Sequence, residues 1–221
     1  MYQAQNDMNP SRTPMPANNG QNTAPQKSYV RLLHASPDAP AVDIYLNDQV
    51  VATNVNYKDL TKYLGLQPGN YNVKVYAAGE TTNPVLDFNL SIPANSVYTV
   101  AVVGRLSDLS LLPIPEPIMG NTTGNACVRF VHLSPCTSSV TIKLEDGTTL
   151  FEDVQFTDIT KYVCVPEGTY SFEVFLTDSD TIVLTASDIP LEANKFYTAY
   201  AFVMPNEAPN LQALLVEEPR M

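Results

Sequence analysis

Short runs of apolar residues, separated by turn residues, follow one another along most of the chain after residue 28. In the segment YNVKV (71–75) apolar and polar residues alternate with the two-residue period of a half-buried β-strand. Turn signals recur about every ten residues, which is the spacing of a β-sandwich. The pattern therefore predicts an all-β fold.

Sixteen runs are predicted as strands, eight in each half of the chain. They lie at 29–34, 42–46, 50–55, 62–66, 71–77, 85–90, 97–103 and 109–112, and then at 128–132, 140–144, 149–154, 161–165, 170–176, 182–187, 196–203 and 211–216. Asn47-Asp48 and Asp146-Gly147 separate the second and third runs of each half, and both favour tight hairpins. Asp146-Gly147 carries the stronger type I′ signal.

The two halves are copies of one plan. VRLLHASP (30–37) returns as VRFVHLSP (128–135), a spacing of about 98 residues. The predicted organisation is an N-terminal arm (1–28), a first β-sandwich (29–113), a linker (114–125) and a second β-sandwich (126–218). The linker begins with stiff proline-rich sequence and ends with flexible Gly/Asn sequence, so we expect the modules to be held apart without a fixed angle.

The arm is rich in Asn, Gln, Pro, Thr and Ser and offers almost nothing to pack. Such a composition is typical of a flexible or extended segment. Two interpretations stay open. The arm is either an inert tail or a strand that pairs with the sheet edge of a neighbouring molecule.

Charge is concentrated in the second half, since residues 120–221 carry five basic and fourteen acidic side chains of the total net charge of −11. Such a surface repels polyanions, so we expect neither nucleic acid nor an anionic membrane as a partner. The acidity also has a plain explanation, since net charge keeps a protein soluble. No segment has the roughly 18 apolar residues that span a bilayer, and we predict no membrane insertion. The first residues also lack the basic start and apolar run of a secretory signal.

Residues present in both copies are expected to serve the fold, whereas residues of one copy are candidates for a local role. The shared set is His34, Ser36, Pro37, Gly69 and Tyr71 in the first copy and His132, Ser134, Pro135, Gly168 and Tyr170 in the second. Each tyrosine follows a Gly-x turn and is expected to hydrogen-bond back across the sandwich corner. Each module has a single histidine, so a structural role at a strand end is favoured over catalysis or metal binding.

Cys127, Cys136 and Cys164 occur only in the second copy. Their number and spacing argue against zinc. Three reduced thiols that pack as small apolar groups are one possibility. The other is disulfide bonding, in which one intramolecular disulfide would leave the third thiol free to bond to another molecule. All three cysteines are therefore candidates for an intermolecular disulfide.

VRLLHASPDAPAVDIYLND, followed by the Pro68-Gly69-Asn70-Tyr71 turn, resembles the bacterial DUF4397 domain. The resemblance covers 29–113 closely and about 126–216 more loosely. It implies tandem immunoglobulin-like antiparallel β-sandwiches, a setting in cell-envelope and secreted bacterial proteins, and no established catalytic activity. Asp38 and Asp43 belong to the motif, and the second copy replaces them with Cys136 and Thr141.

The two aspartates are weak candidates for a ligand or Ca²⁺ site, but calcium prefers six to eight oxygens and a turn-stabilising role is favoured. No phosphate loop, nucleophile elbow or zincin helix is present in the sequence, so we predict neither an enzyme nor a cofactor.

Two functions remain. The first is a structural protein of a bacterial cell surface or spore surface that associates with itself or with other surface proteins. The alternative is a module that binds a glycan or peptide through tyrosines that we expect to be exposed, such as Tyr45, Tyr57 or Tyr76.

Overall fold

The computed structural model describes residues 27–117, 123–179, 181–204 and 208–219. Within these ranges the chain forms sixteen β-strands. The first half contains β1 (Ser28–His34), β2 (Val42–Leu46), β3 (Gln49–Val55), β4 (Leu64–Leu66), β5 (Gly69–Ala77), β6 (Leu86–Ile92), β7 (Val97–Val103) and β8 (Ser110–Pro115). The second half contains β9 (Asn125–His132), β10 (Val140–Leu144), β11 (Thr149–Val154), β12 (Val163–Pro166), β13 (Gly168–Leu176), β14 (Ile182–Leu191), β15 (Phe196–Val203) and β16 (Leu211–Glu217).

Each half folds into two four-stranded sheets packed face to face. In the first module the inner sheet has the order β4-β1-β7-β8 and the outer sheet the order β3-β2-β5-β6. The second module repeats this arrangement, with an inner sheet β12-β9-β15-β16 and an outer sheet β11-β10-β13-β14. The predicted fold class of tandem β-sandwiches is confirmed. The inner sheets are mixed rather than purely antiparallel, because β1 runs parallel to β7 and β9 parallel to β15.

Alternation along the strands fills the space between the two sheets of each module. In the first module Val30 and Leu32 of the inner sheet face Ile44, Val73 and Val75 of the outer sheet in one continuous core. All five side chains are buried. Burial of these aliphatic groups is the main favourable term for each sandwich.

The inner sheets are buried on both faces. Arg31 and Leu33 point away from the core of the first module, yet they are only 5% and 0% exposed. They are covered by the inner sheet of the second module, and an apolar cluster joins the two sheets. This cluster comprises Leu33, Ala35, Ala101, Val103, Ile114, Val131, Leu133, Tyr200 and Phe202.

The expectation that the linker holds the modules apart is therefore wrong. The proline-rich segment does not act as a spacer, because it continues the edge strand β8 as far as Pro115, which lies opposite Tyr98 of β7. Proline is tolerated on a sheet edge, where no ladder hydrogen bond is needed from it. The apolar outer faces of both inner sheets then bring the modules into direct contact.

The two corresponding hairpins differ in turn type. Asn47 and Asp48 both have positive φ, 48° and 63°, as a two-residue type I′ turn requires. In the corresponding turn of the second module Asp146 does not have a positive φ; Gly147 has one, 86°, and its N–H bonds to the Leu144 carbonyl. That hairpin is a type I turn followed by a left-handed glycine, so the type I′ prediction for Asp146-Gly147 is wrong.

Leu133→Ala tests the contact between the modules. Leu133 is 0% exposed within the shared apolar cluster, so truncation leaves a cavity there. We expect the free energy of unfolding to fall by about 2–5 kcal/mol. Chemical denaturation followed by tyrosine fluorescence measures this loss.

The matched control is Leu106→Ala, since Leu106 is 40% exposed and stands outside the cluster. We expect it to change stability by no more than about 0.5 kcal/mol. Equal losses for the two variants would contradict the buried interface.

Candidate functional site

The two histidines occupy equivalent buried positions at the ends of β1 and β9. His34 Nδ1 accepts the Ser36 N–H at 3.3 Å, and His34 Nε2 lies 3.1 Å from the Pro40 carbonyl. The ring is therefore neutral with its proton on Nε2, because Nδ1 has to accept and a carbonyl can only accept. His132 makes the same pair of contacts with the Ser134 N–H and the Ser138 carbonyl, at 3.2 Å each.

Burial lowers the pKa of both imidazoles below the ordinary value of 6.5. Each ring satisfies backbone groups of the loop that follows it and has no reactive partner in these contacts. The arrangement supports the loop rather than proton transfer.

The two turn tyrosines hydrogen-bond to the backbone four residues earlier. The Tyr71 hydroxyl donates to the Gln67 carbonyl at 2.7 Å, and the Tyr170 hydroxyl donates to the Pro166 carbonyl at 2.8 Å. Both rings pack against the core of their module. Each tyrosine thus closes the turn before its own strand, which begins at Gly69 in β5 and at Gly168 in β13.

Asp38 and Asp43 accept hydrogen bonds from backbone amides. Asp43 receives the Asn54 N–H at 2.7 Å on one oxygen and the Gly79 N–H at 2.9 Å on the other. Asp38 receives the Leu106 N–H at 2.8 Å. Both carboxylates thus bind the backbone of their own module, at β3 and at the loops that contain Gly79 and Leu106. Among the residues that the structure describes, no group of three or more His, Cys, Asp or Glu side chains is placed to hold a metal ion.

The three cysteines divide into a pair and a single residue. Cys127 and Cys164 lie directly opposite each other on β9 and β12 and form an intramolecular disulfide. Neither is therefore available for the intermolecular bond that the sequence left open for them. Cys136 is free and partly exposed, and Arg105 Nη2 lies 3.1 Å from its sulfur. The two residues line a crevice of about 360 Å³ between the modules.

A cluster of four charged side chains lies buried at the centre of the interface. Arg31 Nη2 donates to Glu218 Oε2 of the other module at 2.6 Å, and its Nε lies 3.1 Å from Glu116 Oε1. Arg129, the counterpart of Arg31, donates through Nη1 to the Pro115 carbonyl at 2.7 Å. Among the described residues its Nη2 has no hydrogen-bond partner, and it lies 3.6 Å from Glu218 Oε1.

Neutral side chains complete this charge cluster. Arg31 Nε donates to Thr99 Oγ1 at 2.8 Å, and Arg129 Nε donates to Thr198 Oγ1 at 2.9 Å. Thr198 in turn donates to Glu218. Tyr63 and Tyr162 each cover one guanidinium, with the guanidinium carbon 4.8 Å from the ring centroid in both cases.

The electrostatics of the cluster are dominated by the removal of water. Two arginines and two glutamates sum to zero charge when both glutamates are ionised, and such pairing is how buried charges are usually tolerated. Burial, together with the neighbouring Glu116, raises the pKa of Glu218 to about 7. Burial also raises the pKa of Tyr200, whose hydroxyl lies 3.3 Å from Thr99 Oγ1, to about 12.

Sequence reasoning missed this cluster. Arg31 and Arg129 stand at matching places of the repeat within the apolar runs VRLLH and VRFVH. A strand that is apolar at nearly every position is typical of a sheet covered on both faces. That pattern was the available signal, and a charge recurring within it indicates a partner across an interface.

Of the three tyrosines expected to be exposed, two lie together on the outer sheet of the first module. Tyr45 and Tyr76 meet edge to face with their ring centroids 5.2 Å apart. Tyr76 is only 8% exposed, so the expectation of exposure fails for it. Tyr57 lies in the interface, where its hydroxyl donates to the Val203 carbonyl at 2.9 Å.

The model of the family described as "Domain of unknown function (DUF4397)" matches residues 28–143 and 137–221. The chain belongs to the DUF4397 family. Two matches along one chain support tandem DUF4397 modules, as the resemblance implied. The bounds of the matches differ from those of the two sandwiches, because the first match extends into β10 and the second begins after β9. No curated protein matches the sequence.

Two solved structures illustrate the similarity of the DUF4397 pair to other proteins. The CBM26 module of Amy13K from Eubacterium rectale, in complex with maltoheptaose, is 10% identical with a TM-score of 0.29, over 84% of this chain and 96% of that one. The TIE protein of Bacillus anthracis is 10% identical with a TM-score of 0.26, over 80% of this chain and 34% of that one. In the part of the chain that the structure describes, no helix is long and apolar enough to cross a membrane.

Glu218→Gln tests the electrostatics of the charge cluster. Because the folded state raises the pKa of Glu218 from 4.5 to about 7, it binds that proton more tightly than the unfolded chain does. This stabilisation is fully present below about pH 4.5 and is lost as the pH rises through about 7. We expect the wild-type free energy of unfolding to fall relative to Glu218→Gln across this window, by on the order of 2 kcal/mol.

Urea denaturation at several pH values measures the free energy of unfolding of the wild type and of Glu218→Gln. Protonation of the two histidines affects both proteins equally and cancels when the two values are subtracted. The control is Glu217→Gln, which removes a half-exposed partner of Lys195 from the same end of β16. Its effect should stay below about 0.5 kcal/mol, because solvent screens that ion pair. If the wild-type free energy of unfolding instead rose relative to that of Glu218→Gln as the pH increases, the raised pKa of Glu218 would be contradicted.

Proposed function

We propose that this protein is a non-enzymatic structural component of a bacterial cell surface or spore surface, and that it assembles with copies of itself through Cys136 and the N-terminal arm. The observation that carries the proposal is the division of the cysteines. Cys127 and Cys164 are oxidised to a disulfide, whereas Cys136 is free and partly exposed. Disulfides persist mainly in oxidising compartments, where a free, accessible thiol readily joins another chain.

The surroundings of Cys136 support this role. Reactive cysteines typically occupy partly exposed, electropositive positions, and the Arg105 guanidinium adjoins the sulfur at 3.1 Å. The crevice around them opens between the two modules and is lined also by Asp38 and Met204. A second chain can approach the thiol there without disturbing either core.

The packing of the modules supports a structural function as well. The apolar cluster and the charge cluster join the two sandwiches, which suits a building unit of defined shape. His34, His132 and Asp43, the side chains in the repeat that could take part in chemistry, are hydrogen-bonded to backbone groups of the fold.

One thiol joins only two chains, so a polymer needs a second contact. The arm supplies it in this proposal by pairing with the sheet edge of a neighbouring copy. Residues 1–26 of the arm lie outside the described residues, and the chain enters β1 directly at Ser28. Disulfide-linked pairs joined through their arms would form an extended array.

Cys136→Ser tests the covalent contact. On non-reducing gels we expect the wild type to show dimers that disappear with reductant, and Cys136→Ser to run as a monomer. The matched control is the double variant Cys127→Ser/Cys164→Ser, which removes the internal disulfide but should still dimerise through Cys136.

Deletion of residues 1–26 tests the second contact in the same experiment. Sedimentation and negative-stain microscopy should show assemblies larger than dimers only when the arm is present. Monomers under all conditions, or assemblies that neither change alters, would refute the proposal.

A second candidate, binding of a surface glycan, is favoured by the outer sheet of the first module. Tyr45 is half-buried on its outward face and packs edge to face against the buried Tyr76. Asn72 lies further along β5 on the same face and donates to Asp87 Oδ1 at 2.6 Å. An aromatic platform next to a row of amide and carboxylate groups suits a sugar, which offers an apolar ring face and hydroxyl groups.

Tyr45→Ala tests this candidate by titration of the protein against immobilised glycans. We expect a saturable affinity in the wild type that falls at least about tenfold in the variant. Lys143 and Phe175 hold the corresponding positions of the second module, with Lys143 Nζ 4.6 Å from the ring centroid. Phe175→Ala is thus the matched control, and binding that both variants weaken equally would argue against this face.

A further inference from the structure

The core of the second module contains an apolar cavity of about 120 Å³. It lies between the inner and outer sheets, on the side where β14 and β16 meet. Its walls include Phe151, Phe172, Ala186, Ala199, Ala213 and Leu215. The first module provides an internal reference for what fills the same place there.

The register of the strands identifies the counterparts of two of these alanines. Ala199 lies beside Phe130 of β9 as Val100 lies beside Leu32 of β1. Both Val100 and Leu32 are buried in the first module. The second module has therefore lost two methyl groups at the position of Ala199.

The second alanine follows in the same way. Ala213 lies opposite Ala201 as Leu111 lies opposite Val102. Leu111 is buried within the core of the first module, whereas Ala213 is exposed. The substitution removes a branched side chain from the edge strand and leaves space behind it.

The buried residues of the two cores are also grouped differently. The first module has one continuous cluster of buried residues, whereas the second has two. Phe172 packs against both clusters of the second module and borders the cavity. Its counterpart Val73 is buried, but Phe172 stays partly exposed, so the cavity is open to solvent.

The lining determines what the cavity accepts. Arg129 is the charged residue among the lining residues, and its guanidinium is held by Thr198 and the Pro115 carbonyl. Water inside such a cavity lacks the two to four polar partners that it needs, and an engineered apolar cavity of about 150 Å³ binds benzene. We propose that the second module binds a small uncharged apolar molecule of about six carbons, an aromatic ring or a short hydrocarbon, in this cavity.

Benzene is the probe, added to the full-length oxidised protein. We expect it to raise the melting temperature and to shift the amide resonances of β13 to β16 in a saturable manner, while those of the first module stay unchanged. Dioxane has a similar size but carries two ether oxygens, and we expect it to produce neither effect.

Two variants return the side chains of the first module to the second. Ala213→Leu and Ala199→Val fill the cavity, and each should weaken the benzene response by at least about tenfold. If one of them does not fold, the other provides the same test. The reciprocal variant Leu111→Ala should create a second benzene response, located in the first module.

No saturable response in the wild type would overturn the proposal. A response that persists in the filled variants, or one that dioxane reproduces, would do the same. None of these outcomes depends on Cys136 or the arm, so this inference and the proposed function succeed or fail separately.

Discussion

The structure depends on the burial of a small, neutral set of charges between two sheets. Arg31 and Arg129 point out of their own modules, and each needs compensation because an unpaired buried charge is strongly destabilising. The carboxylates of Glu116 and Glu218 meet this need, and Arg31 reaches one from each module. The pairing therefore couples the modules to each other as well as neutralising the charges.

The position of the two glutamates explains how the cluster is assembled. Glu116 follows β8 and Glu218 follows β16, so each module ends its last strand with an acid beside its own inner sheet. The apolar cluster of the interface adjoins the charges, because Tyr200 belongs to it and its hydroxyl lies 3.3 Å from Thr99 Oγ1, the partner of Arg31. A low local dielectric strengthens the ion pairs but makes each of them costly to break, which favours a single arrangement of the two modules.

The rest of the chain is free of this constraint, and there the two copies differ. The outer sheets present Tyr45 and Tyr76 in one module and Lys143 and Phe175 in the other. The cysteines occur only in the second copy, and the core of that copy contains a cavity lined by alanines such as Ala199. The duplication thus gave both modules the same β-sandwich. The features that we propose for assembly and binding lie at positions where the two copies differ, so the sandwich fold does not require them.

Much of the fold followed from local patterns. The alternation in 71–75 and the recurring turn residues indicated sixteen strands, and the structure contains strands overlapping the predicted runs. The turn tyrosines and the loop-bound histidines were equally accessible, because their partners lie within six residues in the sequence. Interactions over short separations depend mainly on residue type and turn geometry.

The two-module β-sandwich and the repeat that relates the modules follow from the amino-acid pattern alone. That the inner sheets face each other, that Cys127 pairs with Cys164 and that Arg31 meets Glu218, 187 residues away, follows only from the way the chain folds in three dimensions. The fold in three dimensions also determines where replacing Val100 by its counterpart Ala199 leaves a cavity. The physical reason is that these contacts depend on which surfaces meet, and a strand's pattern shows that a face is buried without showing what covers it.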